Sequence, residues 1–308
     1  MDTAYLRAMF GWSGEVAATP GARGATARIW RLDVAGERFA LKEILGEPPT
    51  DAAVLSEVEY VGRAAALGVR VALPLPDRTG RYLVTDPDGR VLRLYTWIDL
   101  RPVVPSQCAA ALGALLARLH RAAPATPDRP SSWYETAPEV SALMAAAPAA
   151  RPEFAPDPGE VAELLAIVAP SAPDRLRVCH RDLHPENVQA DPAGDLVVLD
   201  WDDLGPADPA RELARVLFDW FCDGPSVDAA AIRALLRAYA AAGGPARITG
   251  RADFSLLIAT RLNFLRSQYA LLGEPDRRDW AYREIEEGVR LLPTRRLIDE
   301  VLATALNS

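Results

Sequence analysis

Of the 34 basic residues in this 308-residue chain only one, Lys42, is a lysine. Cysteine and histidine are equally scarce, three of each. Cys108, Cys179 and Cys222 are odd in number, widely spaced and without a C-x-x-C pair, which excludes a disulfide framework and a zinc knuckle. They read as small apolar residues of a reducing compartment, so a cytoplasmic location is expected. No run approaches the ~18 unbroken apolar residues of a membrane helix. The opening MDTAYLRAMFGWSGE carries an early acid and lacks the apolar core of a signal peptide. Excess positive charge is missing too: 42 acids leave a net charge of −8, which repels a phosphate backbone, and no basic stripe offsets it. Neither a nucleic-acid nor a membrane partner is expected. The acidic balance suits a cationic ligand and equally serves solubility.

Half the residues are apolar and a quarter charged, an ordinary globular composition, and the length suggests about two domains at roughly 150 residues each. From about 25 to 96 the pattern has a period near two. ATARIWRLD and ERFALKEI flank an Ala35-Gly36 turn, and RYLVTD and RVLRLYTW flank Pro87-Asp88-Gly89, which predicts two hairpins. Between them Val54, Leu55, Val58, Val61 and Ala65 recur at helical spacing, and Gly68 closes the segment. After Trp97 the chain turns Ala- and Leu-rich. Ser106 is expected to cap one helix and Ser226 another, with further helices at 159–169, 208–221, 252–272, 276–291 and 294–306. Strand character returns only at 175–200, which reads as a small hairpin within a larger helical lobe. The Pro-rich stretch 122–158 reads as loop with one short helix.

That hairpin carries the chemistry. His180-Arg181-Asp182-Leu183-His184-Pro185-Glu186-Asn187 leads into one strand, and Asp200 follows Asp182 by eighteen residues at the end of another. Two carboxylates and a carboxamide thus reach one end of a small sheet. Phosphoryl transfer uses such a set: a carboxylate that orients the attacking hydroxyl and receives its proton, and oxygen ligands for a Mg²⁺ that bridges nucleotide phosphates. Asp182 takes the role of base, and Asn187 and Asp200 those of metal ligands. His180 reads as a structural residue behind the loop, and His184 either touches a phosphate or shapes the loop. Upstream, Leu41 and Lys42 lie on opposite faces of a strand. A strand aims the ammonium at phosphate oxygens if a carboxylate of the next helix holds it. Glu57 is the first choice for that partner and Glu59 the alternative.

These motifs, with the Tyr95–Asp99 link, the Leu119-His120 pair and above all LDWDDLGPADPARELA, resemble the aminoglycoside phosphotransferase and choline kinase-like family, which shares its fold with eukaryotic protein kinases. Two departures are Ala207, where that family has Gly, and Glu212, where Asp is commoner. The resemblance implies an α+β, bilobal protein kinase-like fold: a small β-rich N-terminal lobe, 1–97, binding nucleotide, and a larger mainly helical lobe, 98–308, holding the catalytic and acceptor sites. It places the adenine against the main chain of Thr96, Trp97 and Ile98. Thr19 to Ala25 has two glycines, Gly21 and Gly24, that either cover the phosphates or form a plain hairpin turn. His184 stands where protein kinases have Lys, and no Asp-Phe-Gly or Ala-Pro-Glu follows, so a small-molecule acceptor is favoured over a protein.

The implied activity is Mg²⁺-dependent transfer of the γ-phosphate of ATP, or GTP, to a hydroxyl of a small cationic acceptor, an antibiotic first, which would make the chain an antibiotic-resistance kinase. Asp202, Asp203, Asp219 and Asp223 are the candidate acceptor-binding acids. The alternatives are a metabolic kinase acting on choline, homoserine or a sugar-like molecule, and a non-catalytic nucleotide-binding scaffold. Either a monomer or a homodimer is expected.

Overall fold

A computed structural model describes residues 1–24, 26–147, 151 and 154–308. They form two compact units, Met1–Pro102 with Val188–Leu199, and Val103–Asn187 with Asp200–Ser308. The first opens with helix α1 (Thr3–Phe10), whose N-cap Asp2 accepts from the Tyr5 amide at 3.0 Å. Strands β1 (Val16–Arg23), β2 (Ala27–Val34) and β3 (Glu37–Ile44) form a meander. The β2–β3 turn is made by Ala35 and Gly36, at φ 50° and 87°, the doubly left-handed geometry that lets two twisted strands meet in two residues. Helix α2 (Asp51–Ala66), capped by Thr50, comes next. Then follow β4 (Arg70–Val71), β5 (Pro74–Leu75), β6 (Val84–Thr85) and β7 (Val91–Thr96). The second expected hairpin has a shorter first strand than RYLVTD, because Asp86 folds its tip, accepting from the amides of Asp88 and Arg90 at 3.0 and 2.9 Å.

Alternation sorts this sheet into two faces. Leu32, Leu41, Leu92 and Leu94 join Leu6 of α1 in one apolar core. On the opposite face Ile29, Lys42 and Arg93 lie side by side in register. Strands β9 (Val188–Ala190) and β10 (Leu196–Val198) form the later hairpin, and β10 pairs in parallel with β4. The hairpin expected within the helical lobe therefore packs with the first unit. Contacts distant in sequence decide this membership, and Arg101 exchanges backbone hydrogen bonds with Ala190 to fix it.

The second unit is mainly helical: α3 (Pro105–Ala122), α4 (Ser132–Glu135), α5 (Val140–Ala146), α6 (Pro158–Leu165), α7 (Pro209–Phe221), α8 (Ala229–Ala241), α9 (Ser255–Leu271), α10 (Arg278–Arg290) and α11 (Arg295–Leu306). Two strand pairs accompany them, β8 (Arg177–Cys179) with β11 (Gly205–Ala207), and β12 (Cys222–Asp223) with β13 (Ser226–Val227). Helices α3 and α8 touch so closely that a Cβ on Gly113 would lie 2.2 Å from the Leu235 carbonyl oxygen. Neither expected serine cap forms. Val104 precedes α3, whose first residue is Pro105, preset for a helix start. Asp228 caps α8, and Ser226 is in β13. Among the described residues no helix is long and apolar enough to cross a membrane.

Candidate active site

Helix α7 is buried on nearly every side, yet it carries Arg211, Glu212, Arg215 and Asp219. Charges in such a place need partners: Arg211 donates to the Pro170 carbonyl, while Glu212 and Arg215 hold the loop that carries Asp182. Glu212, fully buried, accepts from the Arg181 amide with one oxygen and lies 2.8 Å from His120 Nε2 with the other. His120 Nδ1 meets the Tyr239 hydroxyl at 2.7 Å, which fits an Nε2–H tautomer. Burial raises the Glu212 carboxyl's pKa, but the hydrogen bond and charge of His120 together with the Arg181 amide hold it below its ordinary value. Asp208 is the α7 N-cap, accepting from the Ala210 amide at 2.9 Å. Glu212 has the longer reach, down to the loop. His180 is wholly buried behind Asp182, its ring 4.7 Å from that of Trp201.

Arg181 and Asp200 have φ of 68° and 52°, and with Ala35 they are the non-glycine residues of positive φ among those described. Strained backbone of this kind costs about 1–3 kcal/mol and persists where the surroundings fix it. The Arg181 guanidinium lies 3.6 Å over the Tyr134 ring and donates to the carbonyl oxygens of Asp203 and Pro206. It fits because residue 205 is glycine: a Cβ there would come within 2.5 Å of its Nη2.

Asp182 is gripped from two sides. Its Oδ1 accepts from Arg215 Nη2 at 2.5 Å, and its Oδ2 from Asn187 Nδ2 at 3.0 Å, with His184 Nε2 at 3.4 Å. Burial raises its pKa, but the His184 hydrogen bond and the Arg215 charge outweigh burial and hold the carboxyl well below the usual range. Asp182 in turn raises the pKa of His184 against the opposing effect of burial. Asn187 uses its Nδ2 on Asp182, which leaves its amide oxygen as a ligand atom. Asn187 immediately precedes β9 and Asp200 follows β10 by two residues, and the antiparallel register Val188↔Val198 carries both to the same end of the hairpin. One amide oxygen and one carboxylate are hard donors that fit Mg²⁺. His120, Cys179 and Glu212 also lie close together, but internal hydrogen bonds already occupy the imidazole and the carboxylate.

The four acceptor-site acids divide. Asp219 is inside the unit, accepting from Arg261 Nη2 at 2.6 Å and Arg215 Nε at 3.2 Å, so it balances two arginines instead of facing a ligand. Asp203 accepts from the Tyr134 hydroxyl at 2.8 Å, and burial, then the Asp182 charge, raises its pKa. Asp202 and Asp223 are exposed.

In the first unit Glu57 faces inward and Glu59 outward, where it pairs with Arg63. Both oxygens of Glu57 accept from Arg93, at 2.5 and 2.9 Å, and Arg93 is the cross-strand neighbour of Lys42. Lys42 is itself buried. Gly21 lies within β1, where the register to β2 shifts between Pro20 and Arg23, and the Gly24 amide donates to Ala27 at 2.9 Å. Ala25 lies outside the described residues. The Thr96 amide is taken by the Leu73 carbonyl at 2.9 Å, and Trp97 donates from Nε1 to Asp99, at 2.9 Å as well. Ile98 follows in the irregular segment after β7.

Arg93, Tyr134, Arg215 and Arg261 were not among the expected site residues. Arg93 interrupts the apolar strand VLRLYT, and Arg215 precedes Asp219 by four residues on a helix, the spacing of a paired face. Tyr134 and Arg261 have no comparable local signal.

The model of the phosphotransferase enzyme family matches residues 17–248. The chain belongs to that family, whose enzymes transfer phosphate to hydroxyl groups of small molecules, and its fold is the bilobal protein kinase-like fold of aminoglycoside phosphotransferases. Among solved structures, an amicoumacin kinase in complex with AMP-PNP, Ca²⁺ and Ami is 19% identical, with a TM-score of 0.62 over 92% of this chain and 91% of that one. A spectinomycin phosphotransferase in complex with ADP and its antibiotic is 14% identical, with a TM-score of 0.62 over 99% and 98%. A microcompartment-associated aminopropanol kinase is 16% identical, with a TM-score of 0.56 over 98% and 93%. No curated protein matches the sequence.

Proposed function

We propose that this enzyme moves the γ-phosphate of ATP, or of GTP, to a hydroxyl of a small molecule, and that Asp182 is its base. The observation that carries the proposal is the grip on Asp182, which fixes a carboxylate between Arg215 and the metal-ligand candidate Asn187. The acceptor O–H donates to Asp182. As the acceptor oxygen bonds to phosphorus, the bond from phosphorus to the ADP oxygen breaks, and the proton passes to the carboxylate. A carboxylate this weakly basic takes that proton late, which suits the loose transition state of phosphoryl transfer. Asn187 and Asp200 would hold Mg²⁺, which when bound neutralises charge building on the phosphates. Lys42 binds phosphate oxygens, and Glu57 and Arg93 stiffen the sheet face beside it. The main chain of 96–98 receives the adenine, and the Gly21 to Gly24 hairpin covers the phosphates. Three free thiols suit the cytoplasm.

An antibiotic is the acceptor we favour, since the similar folds include kinases of amicoumacin and spectinomycin. Preference for a cationic one rests on the exposed acids Asp202 and Asp223. The aminopropanol kinase supports a metabolic amino alcohol as the second reading. Mass spectrometry of an acceptor panel incubated with ATP and Mg²⁺ tests both. A phosphate adduct on an antibiotic, lost by at least a thousandfold in Asp182→Asn, is expected. Adducts confined to amino alcohols favour the metabolic reading, and an Asp182→Asn variant as active as wild type overturns the role of Asp182.

A further inference from the structure

Arg215 is the most heavily committed side chain around Asp182. Its Nη2 donates to Asp182 Oδ1 at 2.5 Å, its Nη1 to the carbonyl of Arg181, and its Nε to Asp219 Oδ2 at 3.2 Å. The other Asp219 oxygen accepts from Arg261 Nη2, at 2.6 Å, from the neighbouring helix α9. Arginine, carboxylate and arginine thus form a line from α9 through α7 to the loop. Only 2% of the Asp219 side chain and 11% of the Arg215 side chain are exposed. Buried ion pairs of this kind contribute little net stability compared with apolar side chains of the same volume. Stability alone is therefore a poor reason for three charges here.

Counting lone pairs on Asp182 gives a better one. A carboxylate oxygen accepts about two hydrogen bonds in the carboxyl plane. Oδ2 faces two donors, Asn187 Nδ2 and His184 Nε2, whereas Oδ1 faces Arg215 alone. With one direction of Oδ1 filled and the rotation of the carboxylate stopped, its second direction is fixed in space. We propose that Arg215, braced by Asp219 and Arg261, is a positioning residue that presents this remaining Oδ1 lone pair to the acceptor hydroxyl.

This inference rests on the assignment of Asp182 as the base. It is tested with the acceptor found by the panel, by steady-state kinetics of Arg215→Met, Arg215→Lys and Arg261→Met, with Mg²⁺-ADP affinity measured by calorimetry on the same proteins. Misplacing a reacting group by about 1 Å costs on the order of a hundredfold. Arg215→Met should lose about that much kcat, with ATP KM and ADP affinity within about twofold of wild type. Arg215→Lys should recover little, since one ammonium cannot reach Asp182, Asp219 and the Arg181 carbonyl together. Arg261→Met should lose about tenfold, and adding it to Arg215→Met should cost nothing more, because both act through one carboxylate. An Arg215→Met enzyme within threefold of wild-type kcat overturns the inference, as does a loss that follows nucleotide affinity. If Arg215→Met does not fold, Arg261→Met decides at the edge of the line, and an unchanged kcat there is refutation. A wild-type protein that phosphorylates nothing overturns the phosphotransfer assignment itself, whereas an active wild type with an equally active Arg215→Met overturns only the role of Arg215.

Discussion

In the first unit Arg93 gives both terminal nitrogens to both oxygens of Glu57, and the pair is closed. In the second, Arg215 gives one nitrogen to Asp182 and spends the others on Asp219 and a backbone carbonyl. Both clusters are guanidinium–carboxylate contacts with a buried arginine, yet they differ in what they leave over. The fork-to-fork pair fixes both oxygens of its carboxylate with one guanidinium and holds a sheet to a helix. The single-contact pair immobilises its carboxylate and still leaves an acceptor position for chemistry. The bidentate pair serves the scaffold, whereas the arginine shared among three acceptors serves a carboxylate placed for chemistry.

Breaking the closed pair should have the largest effect. Arg93→Met leaves the Glu57 carboxylate buried without its main partner and should lower stability by about 3–5 kcal/mol in urea unfolding, while Arg93→Met with Glu57→Leu should regain most of it. A single variant as stable as wild type would show the pair to be solvent-relaxed and the contrast mistaken. Beside that pair, Lys42→Arg keeps the charge but puts a planar fork where a compact ammonium stands. It should reduce kcat/KM for ATP at least tenfold with little change in unfolding midpoint, and near-normal turnover would make Lys42 incidental. The third effect is smaller and follows pH. Burial raises the Asp219 carboxyl, but the charges of Arg261 and Arg215 outweigh it and leave the folded value below the unfolded value of about 3.9. The unfolded chain then binds protons first, so this contribution is whole above about pH 5 and is lost as pH falls through the folded value. Urea titrations between pH 3 and 6 should therefore show a shallower acid loss in Asp219→Asn than in wild type. Equal slopes would mean that Asp219 is not held as described.

Local pattern exposed much of this molecule before any coordinates. The alternation around Ala35-Gly36 yields the β2–β3 hairpin, and the spacing of Val54 and Val61 yields α2, because each signal lies within a few residues of its consequence. Helical phase alone leaves Glu57 and Glu59 open, and packing turns Glu57 inward onto Arg93 and leaves Glu59 outward on Arg63. The motif from His180 to Asn187 with Asp200 is legible as chemistry, since the types and spacing of its oxygen donors are restrictive. Its support is not legible. Arg215 looks like one more arginine in an arginine-rich chain, and its role depends on Asp219 and on Arg261, 46 residues further on. The membership of the β9–β10 hairpin likewise rests on pairing with β4, a partner more than a hundred residues earlier.

The approach of α3 to α8 has a consequence for how the sequence can drift. Gly113 stands in a helix made largely of alanine and leucine, where exchange to alanine is chemically the mildest step available. Spatially it is among the worst, since the added carbon would collide with a main-chain oxygen that no rotamer change can remove. A survey of tolerated substitutions across this helix should show position 113 refusing even alanine, a restriction set by a neighbour's backbone and not by any ligand.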